Sequence, residues 1–162
     1  MTPIILLESV AEFIEEKTAD ILLNVRVRHD SEKKQRAAEV FRMNLPDASD
    51  KTSRVPYILV QLINGKDNNQ PGTVEESIHT IRIVCVTYSE DPQQGSMDVL
   101  NLILRLRHEM ELAGVVNEEF CLQYPLEYII YPDNTPPYFI GEMVTHWSIP
   151  ALERKEREIL WQ

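Results

Sequence analysis

Hydrophobic and polar positions alternate most clearly between residues 78 and 88. Thr80 and Arg82 lie on one face of this segment, whereas the other face is more apolar, and this period of two predicts a strand. The more apolar face should meet the core; its residues are His79, Ile81, Ile83 and Cys85. Arg82 predicts partial exposure of the opposite face.

A helix is predicted directly after this strand. Asp91 can cap the first free amides, and Pro92 suits the first helical position. Apolar residues then recur at helical spacing until Gly114, which can adopt the left-handed conformation that ends a helix. The pattern therefore predicts an amphipathic helix lying on a sheet.

Three other apolar runs predict further strands. Residues 55–63 form a nearly continuous apolar run, typical of a buried strand, and the polar loop 65–76 joins them to 78–88 as an antiparallel hairpin. Residues 119–131 and 138–149 flank a strong turn and predict a second hairpin. Pro125 interrupts the first of these two runs, which favours an edge strand or a bulge.

The first third of the chain follows a different pattern. Residues 4–27 carry apolar positions at helical spacing and predict a helix. No Gly before Gly65 marks where this helix ends, so its end is predicted only as a range, near Asn24 to Asp30. Residues 30–54 are highly charged and lack a sustained apolar period, so they are predicted to be a long flexible excursion. A short helix over 32–41 is the alternative.

Length and composition limit the class of protein. A chain of 162 residues predicts one domain, divided into an N-terminal helix (1–29), the excursion (30–54), a sheet-and-helix core (55–150) and a charged tail (151–162). No apolar run approaches the roughly 20 residues that span a bilayer, and the N-terminus lacks signal-peptide features, so cytoplasmic synthesis is expected. The net charge of −10 opposes tight binding of nucleic acid.

The sequence carries no recognisable catalytic or metal-binding motif. Its glycines lack the spacing of a phosphate-binding loop, and Cys85 and Cys121 lack the spacing of a zinc or redox motif, so both are predicted to be reduced core residues. His79 and His146 lie in predicted strands and could meet across a sheet, although structural roles are the preferred interpretation. We therefore predict no catalytic, cofactor-binding or metal-binding residues, and a small hydrolase with a His79/His146 site is the weaker alternative.

The order of predicted elements resembles a known family. It runs helix, long excursion, strand, long loop, strand ending in Tyr-x-x-Asp, helix, and a hairpin closing in Trp-x-x-Pro. The likeness lies in VPYILVQLINGKD (55–67), IRIVCVTYSEDPQQGSMDVLNLILRLRHEM (81–110) and YFIGEMVTHWSIP (138–150). In these segments the chain resembles the tail-terminator, or tail-completion, proteins of long-tailed phages and prophages.

The resemblance implies both a fold and a role. The fold would be α+β, with an antiparallel sheet of about four strands and two main helices packed on one face. About six copies would form a ring through heterologous contacts. The ring would cap the tail tube in the virion after assembly in the host cytoplasm, end tail polymerisation and bind the head-tail connector protein. DNA would pass through without specific binding, and an acidic chain suits such a lumen. Another neck or minor tail structural protein is the alternative.

Candidate assembly contacts fall in the loop 65–76, the excursion 30–54 and the tail. A long loop on a rigid sheet is a common contact site, although an ordinary mobile loop is about equally compatible with the pattern. The basic cluster of the excursion has the alternative of a solvated face, and Trp161 that of an unremarkable exposed chain end. The candidate residues are Lys33, Lys34, Arg36, Lys66, Asp67, Asn68, Asn69, Glu75, Glu76 and Trp161.

Overall fold

The computed structural model describes residues 2–26, 34–46, 54–68, 70, 74–133 and 135–152. Within these ranges the chain forms two helices, α1 (Pro3–Thr18) and α2 (Pro92–Ala113), and eight strands. Neither helix is long and apolar enough to cross a membrane. Trp161, Lys33 and Asn69, three of the candidate contact residues, lie outside the described residues.

Helix α2 begins and ends as predicted. The Asp91 carboxylate accepts a hydrogen bond of 3.1 Å from the Gln93 amide at the N-terminus. At the other end Gly114 has a φ of 67°, and its amide donates to the Met110 carbonyl at 2.9 Å. Both signals act through local backbone chemistry, which is why the sequence predicts them well.

Helix α1 is shorter than predicted. It ends at Thr18, whose hydroxyl donates to the Ile14 carbonyl at 2.7 Å and whose carbonyl accepts from the Ile21 amide. The chain then turns into strand β1 (Leu23–Asn24), which buries Leu23 in the core. The predicted end between Asn24 and Asp30 is therefore wrong, because Leu23 reaches the core from a strand and not from a helix.

The strands form two sheets. Strand β1 pairs antiparallel with β2 (Gln35–Arg36) in a two-stranded sheet. The main sheet has the order β3-β4-β5-β8-β7-β6. Its strands are β3 (Glu39–Arg42), β4 (Tyr57–Asn68), β5 (Glu76–Tyr88), β6 (Val115–Val116), β7 (Phe120–Ile130) and β8 (Tyr138–Ser148).

The predicted sheet is corrected in size and in strand direction. The fold is α+β, but the main sheet has six strands instead of about four, and β3 runs parallel to β4, so the sheet is mixed. The described part of the excursion 30–54 contributes β2 and β3 and no α-helix. These strands have two and four residues, which is too short for a period of two to appear in the sequence.

Both helices pack on one face of the main sheet and enclose the larger of the two hydrophobic clusters that the described residues form; the smaller one comprises Val55, Val86 and Tyr88. As predicted, the residues 79, 81, 83 and 85 of β5 face the larger cluster. The Cys85 thiol is fully buried, and this burial raises its pKa. Thr145 is also fully buried, and it donates to the Ile81 carbonyl at 3.0 Å while accepting a hydrogen bond from the Trp147 indole at 2.8 Å.

The two predicted hairpins are present. Strands β4 and β5 pair antiparallel, and so do β7 and β8. The pairing of β7 with β8 shifts register between Gln123 and Glu127, which confirms the irregularity predicted from Pro125. Strand β4 extends to Asn68 and β5 begins at Glu76, so both ends of the predicted loop 65–76 are strand.

Candidate assembly surfaces

The far end of the β4–β5 hairpin, residues 63–68 and 74–78, forms an arm with many exposed side chains. Lys66 pairs with Ile78 across the strands, Asp67 with Ser77, and Asn68 with Glu76. The structure therefore brings five candidate contact residues together here: Lys66, Asp67, Asn68, Glu75 and Glu76. All five are exposed except Asn68, which is half-buried.

The arm is fixed to the sheet by a polar cluster that the sequence analysis missed. The Ser77 hydroxyl donates to the Asp67 carboxylate, and its oxygen lies 3.2 Å from Nε2 of His79. Nδ1 of His79 is buried and, among the described residues, has no hydrogen-bond partner. A Cβ at Gly65 would overlap the His79 ring, so only glycine fits opposite this imidazole.

This cluster holds Ser, His and Asp but lacks the arrangement of a nucleophilic triad. In such a triad the imidazole lies between the hydroxyl and the carboxylate and removes the hydroxyl proton. Here the hydroxyl of Ser77 lies between the other two groups and donates to the carboxylate. Ser77 is also only 3% exposed. The contacts favour a structural role at the base of the arm.

The sheet face opposite the helices carries a charged network at its centre. Arg82 donates two hydrogen bonds to the Glu142 carboxylate, at 2.6 and 3.1 Å, and a third to Gln61 at 3.0 Å. The Tyr131 hydroxyl also donates to Glu142. The hydrogen bonds from Arg82 hold the pKa of Glu142 below its usual value, and the hydrogen bond to Glu142 raises the pKa of Tyr131. We call this face, which no described helix covers, the open face.

The basic candidates of the excursion have different environments. Lys34 is exposed. Arg36 is half-buried, and its guanidinium donates to the carbonyls of Ala37, Pro56 and Arg54 at 2.9–3.1 Å. These carbonyls satisfy its hydrogen bonds without neutralising its charge. Burial lowers the pKa of Arg36, and the nearby Glu39 partly opposes this effect.

Arg36 and Arg54 line an open cavity at the start of β3. The cavity has a volume of about 520 Å³, and Ala37 and Glu39 complete its described lining. Nε of Arg54 is buried and has no hydrogen-bond partner in the described part of the chain, while the guanidinium lies 5.6 Å from the Phe41 ring centre. We call this site the arginine cavity.

The two histidines considered for a hydrolytic site are on opposite faces of the sheet. His79 pairs with Trp147 on the core face, whereas His146 pairs with Thr80 on the open face and lies 2.9 Å from its hydroxyl. The two imidazoles therefore do not meet, contrary to the pairing on which the His79/His146 alternative depends. Across the described residues no group of three His, Cys, Asp or Glu side chains is placed to hold a metal ion.

Comparison with known proteins adds no assignment. No model of a known protein family matches the chain, and no curated protein matches it. The functional interpretation therefore depends on the pattern of elements and on the surfaces described above.

Proposed function

We propose that this chain is a structural protein of a long-tailed phage or prophage. It would cap the finished tail tube as a ring of about six copies, end tube polymerisation and offer a surface to the head connector. In this role it would belong to the head-proximal end of the virion tail, and it would act by binding other proteins and not by catalysis.

The order of elements is the observation that supports this proposal most. Strands β4 and β5, helix α2 and the hairpin of β7 and β8 follow one another in the order on which the family resemblance depends. Strand β5 ends at Tyr88, and Asp91 caps α2, so the Tyr-x-x-Asp segment links strand to helix. The Trp-x-x-Pro segment ends the last strand: Trp147 is buried in β8, which ends at Ser148, and Pro150 follows the strand.

The distribution of exposed surface also favours an assembly protein. In the described residues the helices cover one face of the main sheet and no helix covers the other, while most of the arm is exposed. The arm carries Ile63 and Val74 at 51% and 87% exposure. Exposed apolar side chains on a projecting element commonly mark a contact with another chain. The net charge of −10 would limit adhesion of DNA to a ring lumen.

A tube-growth experiment tests the proposal. Purified tail-tube protein of the same phage is polymerised with and without the chain, and tube lengths are measured by electron microscopy. The proposal predicts that substoichiometric chain stops growth at one tube end. Growth that continues unchanged would overturn it, and binding at the distal end would instead favour the minor tail protein alternative.

A matched variant tests the role of the arm. Replacing residues 69–75 with Asn-Gly joins Asn68 to Glu76 through a two-residue turn and keeps the β4–β5 register. We expect this variant to remain folded and to lose capping. If it caps tubes as well as the unmodified chain does, the tip of the arm makes no essential contact.

A further inference from the structure

The outer edge of β7 has unpaired backbone. Strand β6 pairs with β7 only at Phe120 and Cys121, and the Leu122 amide bonds to the Gly114 carbonyl at 2.8 Å. From residue 123 to residue 130 no other described strand pairs with this side of β7. Such an edge can accept a strand or loop of another chain through its free amides and carbonyls.

The same edge is rich in exposed aromatic and apolar side chains. Tyr124 is 70% exposed, Ile129 51% and Tyr128 44%. Tyr131, which directly follows β7, and Ile140, which lies on β8, add two more exposed side chains to this group. Tyrosine is enriched among the residues that dominate binding energy at protein interfaces. We call this surface the tyrosine edge.

Charge distinguishes the two edges of the main sheet. Residues 115–130, which include β6 and β7, contain three acidic residues and no Lys or Arg. The described residues between 26 and 54, which include β3 at the other edge, hold five Lys and Arg residues and one acidic residue. Basic residues therefore prevail towards the β3 edge and acidic residues at the β7 edge.

In the arginine cavity, which Glu39 also lines, neither guanidinium forms a salt bridge with a carboxylate of the described residues. In contrast, Arg42, on β3, is neutralised by Glu8 and Glu15 of α1 at 3.1 and 2.7 Å. Two partly buried guanidiniums without such a contact favour the approach of a carboxylate from outside.

We propose that the tyrosine edge of one copy docks on the β3 edge of a second copy, with Glu127 of the first copy entering the arginine cavity of the second. A second copy is the occupant because one chain carries both complementary surfaces on opposite sides of one sheet. The contact is heterologous, so repetition closes a ring or extends a filament. As the ring contact of a tail cap, the inference rests on the proposed function.

A charge-exchange experiment tests this contact. Glu127→Arg places positive charge on both edges, and Arg54→Glu places negative charge on both. Each variant alone should self-associate at least about tenfold more weakly than the unmodified chain in sedimentation velocity. An equal mixture should recover association, because each copy then meets an edge of opposite charge. Glu12→Arg, an exposed charge reversal on α1, is the matched control and should associate normally.

Recovery in the mixture requires that both variants are folded, so misfolding cannot produce the expected result. Tyr124→Asp provides a second test, because 70% exposure makes this change tolerable in a single copy. Normal association of these variants, or failure of the mixture to recover, would overturn the contact. So would a monomeric unmodified chain at its highest soluble concentration. A chain that is monomeric yet caps tail tubes would leave the proposed function intact and disprove only this contact.

Discussion

At the scale of single residues, close packing explains a helical glycine that the sequence alone does not. Gly95 lies in the first turns of α2, where alanine normally favours a helix by about 1 kcal/mol. A Cβ at this position would overlap the ring of Phe139, which is 2% exposed. The tertiary contact therefore opposes the local preference.

We predict that Gly95→Ala lowers the free energy of unfolding by about 1–3 kcal/mol, the usual effect of overpacking a core. Urea unfolding followed by circular dichroism measures this change. Gln93→Ala, on the exposed first turn of the same helix, should change stability by less than about 0.5 kcal/mol. Adding Phe139→Leu to Gly95→Ala should recover part of the loss. A stabilised Gly95→Ala variant would show that the helix preference dominates.

The Arg82–Glu142 pair predicts a dependence of stability on pH. Hydrogen bonds from Arg82 hold the pKa of Glu142 below 4.5. The contribution of this carboxylate to the free energy of unfolding is therefore fully present above that pH. It is lost as the pH falls through the lower pKa of the folded state. Glu142→Gln should therefore reduce the free energy of unfolding at pH 7 by about 1–2 kcal/mol.

Unfolding by urea between pH 3 and pH 7 would measure this effect. The difference in the free energy of unfolding between Glu142→Gln and the unmodified chain should shrink as the pH falls below about 4. Glu16→Gln changes an exposed carboxylate on α1 and provides the control. A difference that is constant over this range would indicate that shape, and not charge, determines the contribution of Glu142.

At the scale of elements, the Asp67–Ser77 hydrogen bond should hold the arm in register. Asp67→Ala would leave the buried Ser77 hydroxyl without its carboxylate acceptor, at a cost of about 1–3 kcal/mol. We expect faster hydrogen exchange at amides of residues 64–68 and 76–80, with little change in α2. Ser77→Ala should have a similar effect. The double variant should lower the free energy of unfolding by less than the sum of the two single losses. Equal acceleration of exchange throughout the molecule would contradict this local role.

The elements that the sequence predicts are those with local signals. Strand β5 and helix α2 are long and periodic, and Asp91 and Gly114 mark the helix ends through their own backbone contacts. Strands β1, β2 and β6 have two residues each, so they depend on partners that are distant in sequence. Residues 65–68 belong to the arm and pack against no core, so they are polar on both faces of the strand. Their sequence therefore resembles that of a loop.

Pairing between distant strands also limits what the sequence reveals of the candidate surfaces. Arg82 and Glu142 are 60 residues apart, and only the β5–β8 register brings them together. The same register separates His79 and His146, which sequence spacing could not exclude as a pair. Tyr124, Tyr128 and Ile129 lie in a run that the sequence predicts to be a strand, but only the structure shows that they are exposed on an unpaired edge.

At the scale of the whole molecule, the chain is a one-sided α+β subunit, with both helices on one face of a six-stranded sheet. In the proposed contact the tyrosine edge of each copy meets the β3 edge of the next, which would give the assembly a direction. Heterologous contacts of this kind form closed rings when the rotation between subunits closes. A ring is also the geometry that a cylindrical tail tube would accept at its end.

Electron microscopy of tail tubes mixed with the purified chain is the decisive experiment for the proposed capping role. We expect a ring of about six copies at one end of each tube, with the tube shaft bare and no further growth from the capped end. Particle averaging would give the number of copies in the ring. Tubes with no chain at either end, or with chain bound along the shaft, would contradict the proposal that this protein terminates a tail.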